Sequence, residues 1–409
     1  MRILHTADWH LGRIFHGRHL TQDQAHVLEQ FCTLARDVRP DAIIIAGDVF
    51  DRAVPPPEAV ELFGETLARL VQETTAHLVI IGGNHDSAVR LGFAAPLLQA
   101  ARVHLRTRFV ADPAPVIIDD AHGPVHLFPL PYADPAQARS TCGDDSLREH
   151  ADVFTLLLNN VRCRLARSGN PRSIITAHAT VLGGESSESE RPLSIGGAEA
   201  VPPALFHGFG YVALGHLHRP QWIGGNARAN AGGAGDAGKA AEDTTLPSSR
   251  IRYAGSLLKY SFSEADHRKS ISLLELDAAS NVRLEEITLT PLHDVRRISG
   301  RLEELLARAK TDPAPDDYLL AEITDEGPVL DALERLRDAW PNVLRLERPW
   351  LTRMVQQRAA SVDHARITPL QMLEAFHRDM TGEPLSDSRR ALLQDILDDI
   401  LRSQREASA

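Results

Sequence analysis

The chain has 409 residues, 43% of them hydrophobic and 24% charged, which suits two or three domains with packed cores. A formal net charge of −11 excludes a simple nucleic-acid coat or a membrane-surface protein, though not a nucleic-acid enzyme that draws positive charge from metal ions. No apolar run approaches the ~18 residues of a membrane span. The N-terminus lacks a secretory pattern, and Cys32, Cys142 and Cys163 are scattered, so a cytoplasmic protein without a disulfide scaffold is expected.

Five short apolar runs recur along the first 220 residues: Arg2–His5, Ala42–Ala46, Leu78–Ile81, Ser173–Thr176 and Tyr211–Leu214. Their length and their Ile, Val and Leu content predict buried strands. Helices are predicted near 21–38 and 58–74, the second behind the Pro55-Pro56-Pro57 break. Both that helix and a further helix predicted near 91–101 carry apolar stripes. Strands at Ile251–Tyr253 and Ser270–Leu276 complete a layered α/β domain over 1–288. Within it, residues 226–249 are Gly/Ala-rich without periodicity, as in a flexible surface insertion. A helix near 299–310, a strand near 318–324, a helix near 328–339 and a strand near 342–347 predict a small α/β domain over 289–355. A polar linker, 356–366, leads to a helical tail, 367–409. In the tail Thr368-Pro369 starts a helix bearing Leu370, Met372, Leu373, Phe376 and Met380. A second helix bears Leu392, Leu393, Ile396, Leu397, Ile400 and Leu401. No internal repeat and no Walker A motif occurs.

Each of the five early runs leads into polar residues of one kind. The first leads to Asp8-Trp9-His10, the second to Gly47-Asp48-Val49-Phe50-Asp51, and the third to Gly83-Asn84-His85-Asp86. The fourth leads to His178 and the fifth to Gly215-His216-Leu217-His218. Sites in open α/β sheets lie beyond the carboxyl ends of strands, so these side chains are aimed at one rim. Asp8, His10, Asp48, Asn84, His178, His216 and His218 make seven ligands, rich in imidazole, which suit Mn, Fe, Zn or Co better than Mg. Seven are too many for one ion and fit two, with Asp48 as the shared carboxylate. Two divalent ions less two aspartates leave two positive charges, which suits a hydroxide and a phosphodiester in an in-line displacement. His85 is left over as a general acid for the leaving oxygen, with Asp51 fixing its tautomer and raising its pKa. Taken singly, D-x-H is a chance match, GDxxD and GNHD are ordinary turns and GHLH is a buried histidine pair. What carries chemistry is the order of all five, each after a strand.

That ordered set resembles the calcineurin-like metallophosphoesterases. The strings His5-Thr-Ala-Asp-Trp-His-Leu-Gly12, Ala46-Gly-Asp-Val-Phe-Asp51 and Ala213-Leu-Gly-His-Leu-His-Arg219 are similar to the SbcD family of nuclease subunits within that superfamily, and Tyr253-Ala-Gly-Ser256 with Ser261-Phe-Ser263 extend the likeness. The resemblance implies a layered β-sandwich metallophosphoesterase domain flanked by helices, a small α/β capping domain and a C-terminal helical tail. It implies two Mn2+ ions, one held by Asp8, His10, Asp48 and His218, the other by Asp48, Asn84, His178 and His216, with His85 catalytic. It also implies 3′-to-5′ exonuclease activity on duplex DNA and endonuclease activity on hairpins and single strands. The expected partners are DNA, a second copy of the chain, and an SbcC-like ABC ATPase with a long coiled coil, met by 367–402. Two features depart from the pattern: the length of 226–249, and the acidic Gly183-Gly-Glu-Ser-Ser-Glu-Ser-Glu190 where a DNA-facing loop is expected to be basic.

Three other functions compete. A protein phosphatase shares Asp51-Arg52, but it is disfavoured by Ala53, by GNHD in place of GNHE, and by Ala88 where those enzymes carry arginine. A cyclic-nucleotide or nucleotide-sugar hydrolase needs neither the second domain nor the tail. A non-enzymatic scaffold is expected to have lost ligands, and all seven are present.

Overall fold

The computed structural model describes residues 1–190, 200–224, 250–327, 329–350, 369–381, 384–394 and 396–397. The insertion expected at 226–249 and the linker at 356–366 lie outside the described residues, as do Thr368 and the tail beyond 397. The strands in chain order are β1 (Arg2–Thr6), β2 (Ile14–Phe15), β3 (Arg18–His19), β4 (Ala42–Ala46), β5 (His77–Ile81), β6 (Val103–Arg106), β7 (Val116–Asp120), β8 (Gly123–Leu130) and β9 (Arg172–His178). They continue with β10 (Tyr211–Gly215), β11 (Gln221–Ile223), β12 (Ile251–Tyr253), β13 (Ser270–Leu276), β14 (Val282–Thr288), β15 (Val295–Gly300), β16 (Tyr318–Ile323) and β17 (Val343–Glu347).

Two six-stranded sheets form the first domain, ordered β14-β13-β1-β4-β5-β6 and β11-β12-β10-β9-β8-β7. The five anticipated strands are thus divided: β1, β4 and β5 run parallel in one sheet, and β9 and β10 run parallel in the other. The run Ala42-Ile-Ile-Ile-Ala46 is buried throughout because both faces of its sheet are covered. Ile44 points with Ile3 and Val79 toward Leu127, Ile174 and Ala213 of the facing sheet. Ile43 and Ile45 point the other way, into a core with Val27, Phe31 and Phe63. Those residues come from α1 (Thr21–Val38) and α2 (Pro57–Glu73). Behind the second sheet, the helix His150–Arg167 supplies Phe154, Leu157 and Val161 to a third cluster with Ile175 and Val212. Full burial of such side chains stabilises the fold by about 1.5–3 kcal/mol each. The architecture is the expected sandwich of sheets flanked by helices.

The segment near 91–101 is not one helix. It is two single turns, Ala88–Leu91 and Ala95–Leu98, followed by a 3-10 turn at Gln99–Ala101. Gly92 ends the first turn and Pro96 opens the second, where its missing N–H costs nothing.

The small domain is a parallel sheet, β15-β16-β17, with the helices Leu302–Ala309 and Ala332–Ala339 packed on it around Ile298, Leu319, Leu336 and Trp340. It meets α1 through Asp23, whose carboxylate accepts from Tyr318 Oη at 3.0 Å and lies 2.8 Å from His293 Nδ1. In the tail, Pro369–Thr381 and residues 387–394 are helical, and Arg390 pairs with Glu374 between them.

Candidate metal centre

The carboxyl ends of β1, β4, β5, β9 and β10 meet at one rim between the two sheets. Close approach there depends on absent side chains. A Cβ on Gly47 would lie 2.3 Å from His178 Nδ1, and one on Gly83 would lie 2.1 Å from Asp48 Oδ1. Four candidate ligands, Asp8, His10, Asp48 and His216, have positive φ values of 53°, 45°, 48° and 107°. L side chains avoid this region, at a cost of order 1–3 kcal/mol each, and such strain concentrates at functional sites.

Among the described residues, ligand atoms converge in three groups: Asp8, His10 and His218; Asp48, His178 and His216; and His10, Asp51 and His85. Asp48 Oδ2 sits between them, 3.6 Å from His10 Nε2, 3.4 Å from His178 Nε2 and 4.0 Å from His85 Nε2. Asn84 Oδ1 lies 2.9 Å from His178 Nε2 and 3.2 Å from His216 Nδ1. All seven sequence-derived ligands and both catalytic candidates therefore stand in one cluster. Asp51 takes a different place from the one anticipated. Its carbonyl oxygen, 2.8 Å away, faces His85 Nδ1, while its carboxylate accepts from Arg13 at 2.8 Å and lies 3.5 Å from His10 Nδ1.

Electrostatics fit a cation-binding cluster. Burial raises the Asp8 carboxyl to about 7, opposed by His178 and reinforced by Asp48. Burial would lower His178, but Asp48 and Asp8 outweigh it and lift the imidazole to about 9. Asp48 is held well below the carboxylate range, against its burial, by His178, His10 and His85. Burial, with the charge of His178, pushes His216 well down. His10 Nε2 and His218 Nε2 face each other at 3.0 Å, a spacing that demands a shared proton or cation. Two carboxylates and a set of imidazoles, all buried, are costly unless charge is balanced, so the donor set fits divalent ions.

Hydrogen bonds within and beyond the motifs hold this cluster. Gln24 Nε2 donates to the carbonyls of Trp9 and His10, and its Oε1 accepts from Gly12 N. Asp86 accepts from the backbone of Gly83, Val49 and Phe50, tying the second and third motifs together. Asp8 accepts from His216 N. The acidic segment turns inward: Glu190 Oε1 accepts from His218 N at 2.7 Å, and Ser189 Oγ lies 2.6 Å from His218 Nδ1. Of its three carboxylates, Glu190 braces the centre in this way, while Glu185 pairs with Arg219 at the surface and Glu188 stays exposed. Gln24 carries no signal in the sequence, and the acidic segment stood out there only as a departure; Ser261 and Ser263 of the quoted Ser261-Phe-Ser263 touch its Glu188.

A rim of strand ends presenting buried aspartates and histidines for divalent ions defines a metal-dependent phosphoesterase. Residues 1–220 match the family model described as Calcineurin-like phosphoesterase, and residues 291–381 match the SbcD C-terminal model described as Type 5 capsule protein repressor C-terminal domain. The chain belongs to the calcineurin-like phosphoesterase family and is a phosphoester hydrolase, and the second match supports the SbcD type within it. Three solved structures are similar to it. The protein TT1561 of Thermus thermophilus is 15% identical, covering 70% of this chain and 98% of that one, with a TM-score of 0.37. The calcineurin-like phosphoesterase YfkN from Bacillus subtilis is 13% identical, covering 70% and 88%, with a TM-score of 0.37. A dimetal phosphatase from Danio rerio is 12% identical, covering 71% and 99%, with a TM-score of 0.37.

Proposed function

We propose that the chain is a manganese-dependent DNA nuclease subunit, a 3′-to-5′ exonuclease on duplex ends and an endonuclease on hairpins and single strands. It acts with an SbcC-like ABC ATPase in DNA end processing, repair and recombination in the cytoplasm. The observation that carries this reading is the C-terminal match over 291–381 behind a phosphoesterase centre, since hydrolases of small nucleotides need no such domain. The units are 1–288 for catalysis, 289–355 as a cap that limits which DNA reaches the centre, 356–366 as linker and 367–409 for docking.

Asp8, His10, Asp48 and His218 would hold one ion, and Asp48, Asn84, His178 and His216 the other, with Asp48 shared. Bound there, such ions would supply an activated water and neutralise phosphodiester charge. His85 delivers a proton to the leaving oxygen. The carbonyl of Asp51 keeps its Nδ1–H in place. Imidazole ligands favour manganese over magnesium.

Exposed apolar side chains support the partners. Met372, Leu373, Leu392 and Ile396 remain exposed although the two tail helices touch, which suits a helical partner such as the root of a coiled coil. Val60, Val89, Phe93 and Leu97 are exposed along α2 and the turns after the third motif, Phe93 to 81%, a patch suited to a second copy of the chain. Incubating the purified protein with Mn2+ and linear duplex, hairpin DNA or a small chromogenic diester tests the reading. Cleavage of the diester with both DNAs intact would instead indicate an enzyme acting on small nucleotides or phosphoproteins.

A further inference from the structure

Behind His218 runs a buried polar chain made of residues outside the five strand-end motifs. Ser189 Oγ lies 2.6 Å from His218 Nδ1 and 2.5 Å from Glu264 Oε1. Lys269 Nζ donates to Glu264 Oε2 at 2.5 Å, and to Ser256 Oγ and the His218 carbonyl at 2.8 Å. Ser189, His218, Glu264 and Lys269 are all buried. Ser187 Oγ lies 2.8 Å from both Ser189 Oγ and Glu190 Oε2, so its hydroxyl can donate to Ser189.

Proton counting fixes the direction of these bonds. Glu264, ion-paired with Lys269, can only accept, so the single Ser189 hydroxyl proton goes to it. The Ser189 oxygen is then the acceptor facing His218 Nδ1, and Nδ1 carries the ring N–H. His218 Nε2 is left with its lone pair directed at the Asp8–His10 side of the centre, where ligand atoms of Asp8, His10 and His218 converge.

We propose that Ser189 is a positioning residue for this centre. Its hydroxyl, oriented by the Glu264–Lys269 pair, selects the Nδ1–H tautomer of His218 and fixes the ring so that Nε2 serves as a metal ligand. Partners on the far nitrogen of a ligating histidine have this effect elsewhere, and losing one typically lowers metal affinity 10–100-fold. The proposal rests on His218 being a ligand, and it gives the acidic segment a role in building the site.

Manganese binding to the full-length protein tests it, read by electron paramagnetic resonance titration beside thermal denaturation of the metal-free form. Ser189→Ala is expected to weaken one of two ions by roughly 10–100-fold, leaving the other ion and the metal-free melting temperature unchanged. Ser189→Thr, which keeps the hydroxyl, is expected to recover most of the affinity. Unchanged affinity for both ions in Ser189→Ala overturns the proposal, as does a Thr variant as weak as the Ala one. Joint weakening of both ions with a lower melting temperature also overturns it, since that is the mark of a merely structural serine. His218→Ala separates the two levels: if it too binds both ions normally, the ligand reading of His218 fails, and the relay fails with it.

Discussion

Gly83 approaches Asp48 so closely that a methyl group on it would lie 2.1 Å from Oδ1 and 2.4 Å from the backbone nitrogen. The third motif therefore needs glycine at this position to let the β5 loop pass the central carboxylate. His85 N, two residues on, donates to Asp48 Oδ1 at 2.9 Å, so the same loop that crowds Asp48 also holds it. Gly83→Ala should displace Asp48 by a sizeable fraction of an ångström. A misplacement of ~1 Å costs on the order of 10²-fold in rate. Steady-state kinetics on a chromogenic diester, with manganese content determined in parallel, checks this. Wild-type turnover in Gly83→Ala would mean that the loop yields without moving Asp48.

Asp48 and His85 are expected to separate by metal content. Asp48→Asn should abolish activity and deplete both ions, because Oδ2 faces His10 of one group and His178 of the other. His85→Gln should keep both ions and lose roughly 10²–10⁴-fold in rate, the usual worth of a general acid. Elemental analysis of the two variants decides the assignment. Full manganese in Asp48→Asn would defeat the shared-ligand role, and metal loss in His85→Gln would make it a ligand. Chelation should abolish turnover in the wild type, and manganese should restore it better than magnesium.

Much of this centre is legible in the sequence, for a physical reason. A strand buried on both faces must be continuously apolar, so Ala42–Ala46 and Tyr211–Gly215 stand out, and the polar residues after them are conspicuous. What does not show is the division of β1, β4 and β5 from β9 and β10, because pairing between distant strands leaves no local mark. The strand β8 is hidden by Pro124 and Pro129, which argue against a strand inside a sheet. The Ser189–Glu264 contact spans 75 residues, and no spacing rule predicts it.

Stability should fall with acid through His5. Burial, aided by the Arg252 charge, lowers this imidazole from 6.5 to about 3, with Tyr211 Oη 3.0 Å from Nδ1. Above pH 6.5 both folded and unfolded chains hold it neutral. Between 6.5 and about 3 the unfolded chain takes up the proton and the folded chain does not, so folding loses stability as pH drops. At pH 5 the loss from this one group is about 2 kcal/mol. Denaturant titrations of the metal-free protein at pH 7 and pH 5 check it. His5→Gln should be less stable at pH 7 yet lose about 2 kcal/mol less between the two pH values. An identical pH dependence in the variant would show that His5 titrates normally in the fold.

The tail allows a sharper separation of catalysis from assembly. Its first helix, Pro369–Thr381, opens with a proline at its first helical position, and residues 387–394 form a second turn of chain that touches the first through Arg390 and Glu374. An exposed ion pair of this kind contributes at most ~1 kcal/mol, and two short helices bury too little surface to be stable alone. Met372 and Leu392 are meanwhile 52% and 61% exposed, so apolar surface remains for something else to cover. Among the described residues, the catalytic cluster draws none from this region. A chain ending near Asp363 should therefore fold, bind manganese and cleave simple diesters at the wild-type rate. It should fail to co-purify with the coiled-coil ATPase and lose any ATP-stimulated cleavage of DNA. Pull-down and nuclease assays with the two proteins together read both properties at once. Undiminished affinity for the ATPase after truncation would place the docking surface elsewhere, and reduced diester hydrolysis would show that the tail supports the catalytic domain directly.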